Sequence, residues 1–151
     1  MRTDHLVWLA SALRYHALEF LQTELRNAGV RDLIPSQGAL LSSLYGRGGR
    51  ASMKTLVDAS GKRKSTMTEL ANALERRGYL TREPDPDDAR GVILALTEKA
   101  LALRDTFDEI SARLIERAWG DMPVEDRETL VRLIERTIAN MKTPDLGQGG
   151  P

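Results

Sequence analysis

The sequence predicts a mainly α-helical protein with one small β-hairpin, in which a central module lies between long N- and C-terminal helices. Apolar residues recur every three or four positions along most of the chain, and glycines separate these stretches. A polar segment rich in proline and aspartate lies between two short apolar runs, which is typical of a hairpin. The 151 residues, 41% hydrophobic and 29% charged, suit one soluble globular domain of ordinary size.

Two helices are predicted in the first third of the chain. Residues 5–28 carry apolar side chains at spacings of three and four, and Gly29 follows them as a helix end. Pro35 suits the first turn of a second helix, because its missing N–H costs nothing there. This helix continues to Leu44 and ends in the glycine-rich stretch 46–49.

A pair of helices joined by a tight turn is predicted next. A short helix at about 52–59, with Ser52 as its N-cap, is followed by the turn Ser60-Gly61 and by a strongly amphipathic helix at 64–77. The apolar stripe of this second helix consists of Met67, Leu70, Ala71 and Leu74. Such a helix-turn-helix places its second helix in the major groove of duplex DNA, with its N-terminal residues nearest the base edges.

A β-hairpin is predicted after the paired helices. Residues 79–83 and 92–96 form its strands, and the polar segment 84–91 forms its tip. The tip carries Arg90, and one arginine on a thin loop suits the minor groove of A/T-rich DNA, where negative potential is concentrated. The hairpin is therefore predicted to be the wing of a winged helix-turn-helix module.

Two further helices are predicted towards the C-terminus. The first spans 97–119 and is ended by Gly120, and the second spans 123–141. Their apolar residues alternate at spacings of three and four, which is typical of helices that pack on another helix. Residues 143–151 are rich in glycine and proline and are predicted to be a disordered tail.

The charge of the chain is zero in total but unevenly distributed. Residues 47–82 hold nine basic and three acidic side chains, a net charge of +6. Residues 98–141 hold seven basic and ten acidic side chains, a net charge of −3. The central excess of positive charge predicts an anionic partner at the paired helices.

Particular side chains at the start of helix 64–77 suit contact with DNA. Three consecutive cations, Lys62, Arg63 and Lys64, lie beside a helix N-terminus whose free N–H groups already favour phosphate. Short hydroxyl side chains follow, which can approach a backbone or a base closely, namely Ser65, Thr66 and Thr68.

The sequence resembles the MarR family of regulators over essentially residues 5–141. The family's pattern has a Leu-Glu-x-x-Gly end of the recognition helix, a wing with Asp-x-Arg, and a Leu-Thr that opens the next helix. The matching residues here are Leu74-Glu75, Gly78, Asp88-Ala89-Arg90 and Leu96-Thr97. The start of the second helix also matches, through Pro35-Ser36-Gln37 and Leu40-Leu41.

The resemblance implies a cytoplasmic homodimer that binds a pseudo-palindromic operator as a repressor and responds to a small, often aromatic, effector. It implies a winged helix-turn-helix region at 33–97 and dimerisation helices at 5–30 and 98–141. The resemblance also implies a set of DNA-binding residues, namely Ser36, Gln37, Lys54, Arg63, Lys64, Ser65, Thr66, Thr68 and Arg90. Asp88 is expected to orient Arg90 by a charge-assisted hydrogen bond.

The chain departs from this family at three positions. Many relatives have a basic residue where Glu69 stands, and a carboxylate cannot bind phosphate, although it can accept from cytosine N4. Ala89 replaces the usual first arginine of the wing, and Ala100 a frequent glycine. Glu69, Ala89 and the neutral net charge support an alternative function, a winged-helix dimer that has lost DNA binding and acts as a protein-interaction module.

Other function classes find little support. The chain contains no cysteine, which excludes disulfides, thiolate metal sites and thiol-based sensing. It has no apolar run long enough to span a membrane, and no readable nucleophile–base pair or phosphate loop, so an enzyme is not expected. His5 and His16 share a helix face, and Glu19 lies one turn after His16, but this set does not make an evident three-ligand site. Solvated or ligand-facing histidines are therefore expected rather than a metal site.

Overall fold

The computed structural model describes residues 5–142. The elements of this part follow in the order α1 (Leu6–Asn27), α2 (Pro35–Tyr45), β1 (Arg50–Ser52), α3 (Met53–Ser60), α4 (Lys64–Arg76), β2 (Leu80–Asp85), β3 (Asp88–Leu96), α5 (Glu98–Leu101), α6 (Arg104–Trp119) and α7 (Val124–Lys142). The predicted fold class, mainly α-helical with a small hairpin, is confirmed. The predicted disordered tail at 143–151 lies outside the described residues.

The chain divides into two compact units, residues 1–114 and 115–151, with the boundary inside α6. In the first unit, α4 contacts α2, α3 and β2. Its largest fully buried side chains are Leu33, Leu41, Leu44, Leu56, Leu74, Leu80 and Leu94. Because burying one leucine contributes about 1.5–3 kcal/mol, this shared core holds α4 firmly against the sheet.

The sheet of the first unit has three antiparallel strands in the order β1-β3-β2. Strand β1 was not predicted from the sequence, and in it Arg50 pairs with Ala95 and Ser52 with Ile93. A strand of three residues is too short to show an alternating pattern, and β1 forms because β3 offers it an open edge. Ser52 then caps α3 as predicted, since its hydroxyl accepts from the Thr55 N–H at 3.0 Å.

The hairpin strands extend further than predicted. The segment 84–91 was expected to be a polar tip, but pairing continues to Asp85 on β2 and resumes at Asp88 on β3, so that the turn contains only Pro86 and Asp87. Oδ1 of Asp85 accepts from the Asp87 N–H at 2.9 Å and closes this turn. Polar composition predicted a loop, whereas cross-strand hydrogen bonding to β3 decided the structure.

The predicted single helix at 97–119 is broken into α5 and α6. The Ala100 carbonyl accepts from the Leu103 N–H, three residues ahead, and also from the Tyr45 hydroxyl of α2. This tertiary hydrogen bond occupies a carbonyl that a continuous helix would direct at Arg104. Thr97 caps α5 with its hydroxyl, which accepts from the Ala100 N–H at 3.4 Å and donates to the Gly78 carbonyl at 2.6 Å.

The second unit contains the end of α6 and the whole of α7. Gly120 follows α6 with a φ of +50°, the left-handed conformation that suits glycine at a helix end. The Pro123 carbonyl accepts from the N–H groups of Asp126 and Arg127, each at 3.1 Å, and starts α7. No side chain of α7 is buried, although the helix is amphipathic.

No helix within residues 5–142 is long and apolar enough to cross a membrane.

Candidate nucleic-acid interface

Helix α4 presents the polar face that the sequence predicted. Met67, Ala71 and Leu74 are buried, whereas Ser65 and Glu69 on the other side are exposed. The apolar residues recur with the helical period, so that packing on the core fixes which face remains in solvent. The exposed face of α4 is therefore available to a partner.

The turn between α3 and α4 directs three cations to the start of α4. Gly61 adopts a left-handed φ of +65°, which permits the sharp change of direction. The Ser60 hydroxyl donates to the Val57 carbonyl and accepts from the Lys62 N–H, both at 3.1 Å. Arg63 and Lys64 are exposed and Lys62 is half-buried. Positive side chains thus surround the free N–H groups of α4, an arrangement that attracts phosphate.

The three hydroxyl residues of α4 that were predicted to contact DNA differ in exposure and in hydrogen-bonding capacity. Ser65 and Thr66 are exposed. Thr68 is half-buried, and its hydroxyl donates to the Lys64 carbonyl at 2.8 Å. Its proton is therefore used within the helix, and the Thr68 oxygen can act towards DNA only as an acceptor.

An open cleft of about 680 Å³ lies between α3, the first turns of α4 and the β-hairpin. Hereafter this is called the wing cleft. Its lining includes five of the predicted DNA-binding residues, namely Lys54, Lys64, Thr68, Asp88 and Arg90. The fold therefore brings residues from three separate elements onto one surface.

The wing cleft is also lined by Arg82, which was not among the residues predicted from the sequence. Arg82 donates to the Asn72 side-chain oxygen, and its Nε lies 2.9 Å from Oε2 of Glu75. Both partners are on α4, so Arg82 links the β-hairpin to α4. A signal for this was present, because Arg82 follows buried Leu80 by two positions and so lies on the face of β2 that meets α4.

The wing cleft is balanced in formal charge. Four cationic side chains line it, Lys54, Lys64, Arg82 and Arg90. Four carboxylates line it as well, Asp58, Asp85, Asp87 and Asp88. Of the three cations at the start of α4, Lys64 lines the cleft, whereas Lys62 and Arg63 are not part of its lining.

The contact between Asp88 and Arg90 differs from the one expected. Oδ1 of Asp88 accepts from the backbone N–H of Arg90 at 2.9 Å, rather than from the guanidinium. The carboxylate thus shapes the backbone at the start of β3, and within residues 5–142 no ion pair joins the two side chains. The Arg90 side chain is exposed and lines the cleft.

The predicted role of Gln37 is not supported by its position. Its side chain is only 6% exposed, and Oε1 accepts from the Ile34 N–H at 3.1 Å and from Nη1 of Arg77 at 2.9 Å. Gln37 therefore caps α2 and links it to the end of α4. Ser36 and Lys62 line a separate shallow groove between α2 and α3, outside the wing cleft.

Comparison with known proteins places these features in a family context. The model of the MarR family matches residues 31–91, from the loop before α2 through the hairpin. The chain is 32% identical over 105 residues to YkoM of Bacillus subtilis, named an uncharacterised HTH-type transcriptional regulator, covering 68% of this chain and 66% of that protein. It is 28% identical over 90 residues to the HTH-type transcriptional repressor NicR of Pseudomonas putida, covering 60% and 57%. The chain thus spans less than two thirds of these relatives.

A solved structure gives the same fold over most of the chain. A mutant MarR from E. coli, complexed with operator DNA, matches with a TM-score of 0.76 at 18% identity, covering 91% of this chain and 99% of that one. Such a likeness shows the winged-helix fold alone.

Within residues 5–142, no cluster of three or more histidine, aspartate or glutamate side chains could hold a metal ion.

Proposed function

The chain belongs to the MarR family, and on this premise we propose that it is a sequence-specific DNA-binding transcriptional regulator that acts as a homodimer. One observation carries the proposal. Lys64 and Thr68, at the start of α4, line the same cleft as the exposed Arg90 of the wing. A recognition helix in the major groove and a wing arginine in the adjacent minor groove would use these two features together.

The mixed charge of the wing cleft would affect how strongly and how specifically the protein binds DNA. Phosphate contacts would come from Lys54, Arg63 and Lys64, which are all exposed. The carboxylates of the cleft would oppose tight contact with any DNA, so that non-specific binding would be weak. Specific binding would then depend on base contacts from α4.

We also propose a cytoplasmic location, because a regulator of this kind acts on chromosomal DNA.

Exposed apolar side chains support the homodimer. On α1, Val7 is 78% exposed and Trp8 68%, and Leu6, Leu9 and Leu13 are more than half exposed. On α7, apolar side chains that are 39% exposed or more are Val124, Leu130, Val131, Leu133, Ile134, Ile138 and Met141. A soluble monomer rarely leaves apolar stripes of this kind uncovered, so a second copy of the chain is the proposed partner for each helix.

A pocket supports a small-molecule effector. It measures about 270 Å³ and is lined by α1, α2 and α6. Its walls are mostly apolar, with two hydroxyls, and consist of Leu21, Leu25, Pro35, Gly38, Ala39, Ser42, Phe107, Ile110, Ser111 and Leu114. A compact aromatic compound suits this size and polarity. We further propose that the protein is a repressor, as NicR is named, and that such a ligand releases it from its operator.

The second candidate function is a protein-interaction module without DNA binding. The four carboxylates in the wing cleft favour it, because they cancel the formal charge of the four cations there. In this case α4 and the wing would contact a protein partner instead of two DNA grooves.

Titration of a labelled DNA duplex tests the first function against the second. The duplex is taken from the region upstream of the protein's own gene, and binding is followed by fluorescence anisotropy between 50 and 200 mM salt (roughly the range over which phosphate contacts are lost). DNA binding predicts an affinity that falls linearly with salt on logarithmic axes. Absence of binding at the lowest salt would favour the interaction module.

A pair of arginine variants tests the wing assignment. Arg90→Ala is expected to weaken binding about tenfold, a loss of about 1.4 kcal/mol that one good contact supplies. Arg117→Ala removes the same charge from the exposed surface of α6 and should leave binding unchanged. Neither variant should lose more than about 0.5 kcal/mol of stability, because both side chains are exposed. Equal affinities for Arg90→Ala and the wild type would refute the role of the wing.

A further inference from the structure

Glu69 lies near the centre of the solvent-facing side of α4. It is exposed, and it stands one helical turn after Ser65 and just under one turn before Asn72. The buried residues Met67, Ala71 and Leu74 lie on the opposite side. In the DNA-binding mode proposed above, on which this inference rests, Glu69 would face base edges rather than the phosphate backbone.

The Glu69 carboxylate has no cationic partner among residues 5–142. The neighbours three and four positions away on α4 are Ser65, Thr66, Asn72 and Ala73, none of which is charged. Arg82, the cation that the wing directs at α4, is already bonded to Asn72 and Glu75. Within the described chain, no ion pair or hydrogen bond involves the Glu69 side chain. It is therefore free to act on a bound partner.

The chemistry of a carboxylate restricts what Glu69 can recognise. An ionised carboxylate accepts hydrogen bonds and cannot donate. The major groove offers two base donors, cytosine N4 and adenine N6, whereas guanine and thymine present acceptors on the corresponding edge. Adenine places its N7 acceptor beside N6, which repels a carboxylate, so cytosine is the better partner. Phosphate is excluded by charge.

We propose that Glu69 is a specificity-determining residue, which selects cytosine at one position of each operator half-site by accepting a hydrogen bond from its N4 amino group. The same carboxylate lowers affinity for every other base at that position. Glu69 thereby increases the ratio of specific to non-specific affinity, while it lowers the affinity for DNA in general.

Selection from a randomised duplex library with the purified full chain tests this proposal. The wild type should enrich cytosine at one position per half-site by about tenfold over the other bases. Glu69→Gln should shift that position towards adenine, because an amide can bond both N6 and N7. Glu69→Ala should lose the preference at that position, retain those at the others, and bind unrelated DNA more tightly.

Asp58→Asn provides the matched control. Asp58 is exposed and lines the wing cleft, so this variant removes one negative charge near the DNA without altering the face of α4. It should raise affinity for all sequences and leave the selected sequence unchanged. If both Glu69 variants behave like Asp58→Asn, the carboxylate acts by repulsion alone and the proposal is wrong. A wild-type protein that enriches no sequence would instead refute the proposed function, and the inference with it.

Discussion

The Tyr79 hydroxyl donates a hydrogen bond to Oδ1 of Asp32 at 2.7 Å, and so connects the segment after α4 to the loop before α2. Lys99 joins the same cluster, since its Nζ lies 3.7 Å from Oδ2 of Asp32 and 4.2 Å from the centre of the Tyr79 ring. Lys99 also donates to the Arg77 carbonyl at 2.7 Å. The C-terminal end of α4 is thereby held at a fixed position relative to α2 and α5.

Tyr79→Phe is expected to destabilise the protein by about 1 kcal/mol, the usual net contribution of one hydrogen bond. The ring itself is 3% exposed and keeps its packing in this variant. Urea unfolding at a fixed protein concentration measures the change. Tyr15→Phe is the control, because the Tyr15 ring is 60% exposed, and it should leave the unfolding midpoint in place. Equal midpoints for the wild type and Tyr79→Phe would show that the Asp32 contact contributes nothing.

Stability is expected to fall between pH 10 and about 12. Burial raises the pKa of Tyr45 to about 12, and burial together with the hydrogen bond to Asp32 raises the pKa of Tyr79 to about 12. Unfolded tyrosine has a pKa of about 10. Each folded tyrosine thus retains its proton where the unfolded one loses it, so its contribution is complete below pH 10 and lost as pH rises through 12.

The urea midpoint measured at several pH values checks this dependence. The loss is at most about 1.4 kcal/mol per pH unit for each tyrosine, since one pKa unit corresponds to that energy. The comparison that matters is between the wild type and Tyr79→Phe, which should show a shallower fall of stability with pH. Parallel curves for the two proteins would contradict the raised pKa of Tyr79.

Gly91→Ala is expected to distort the wing without unfolding the protein. A Cβ at this position would lie 2.9 Å from Cβ of Asp85 and 3.1 Å from Cβ of Asp88, closer than side chains tolerate. The turn must therefore shift, at a cost of about 1–3 kcal/mol confined to the hairpin. DNA affinity should fall as far as in Arg90→Ala, with helix content retained by circular dichroism.

Ala89→Ser is the control for this variant, because Ala89 is exposed in the same hairpin and its substitution introduces no contact. It should bind DNA like the wild type. Unchanged DNA affinity in Gly91→Ala would mean that the shape of the wing tip does not matter for binding.

Ile134→Glu on α7 is expected to convert the proposed homodimer into monomers at micromolar concentration. Ile134 is 40% exposed and belongs to the apolar stripe of α7. A charge buried at an interface without a partner costs several kcal/mol, which exceeds the margin of a typical dimer. Sedimentation velocity measures the species. Asn140→Glu, which adds the same charge to an exposed position on another side of α7, should remain dimeric.

Local sequence signals predicted most of the helices and the surface that α4 presents. Ser52 was identified as the cap of α3 and Gly61 as the turn before α4, because a short polar side chain and a missing Cβ act on the nearest residues. The spacing of Met67, Ala71 and Leu74 was sufficient to assign the buried face of α4. Such signals depend on the chain within one or two helical turns.

Three differences from the sequence-based predictions involve contacts between distant parts of the chain. β1 forms because β3 pairs with it, and the break between α5 and α6 depends on the Tyr45 hydroxyl, 55 residues away. Gln37 was assigned to DNA, but its side chain bonds to Arg77, 40 residues further along the chain. No pattern in the sequence specifies these pairings.

The sequence by itself determined the order of helices and hairpin, the exposed face of α4 and the family pattern of the wing, since these follow from periodicity and from turn-forming residues. The tertiary structure decided which of the polar residues remain available. It buried Gln37, committed the hydroxyl proton of Thr68 and engaged Arg82 with α4, and among residues 5–142 it gave the Glu69 side chain no partner. Whether a polar side chain can bind a partner depends on its distances to other groups in the folded chain. The order of residues in the sequence does not specify these distances.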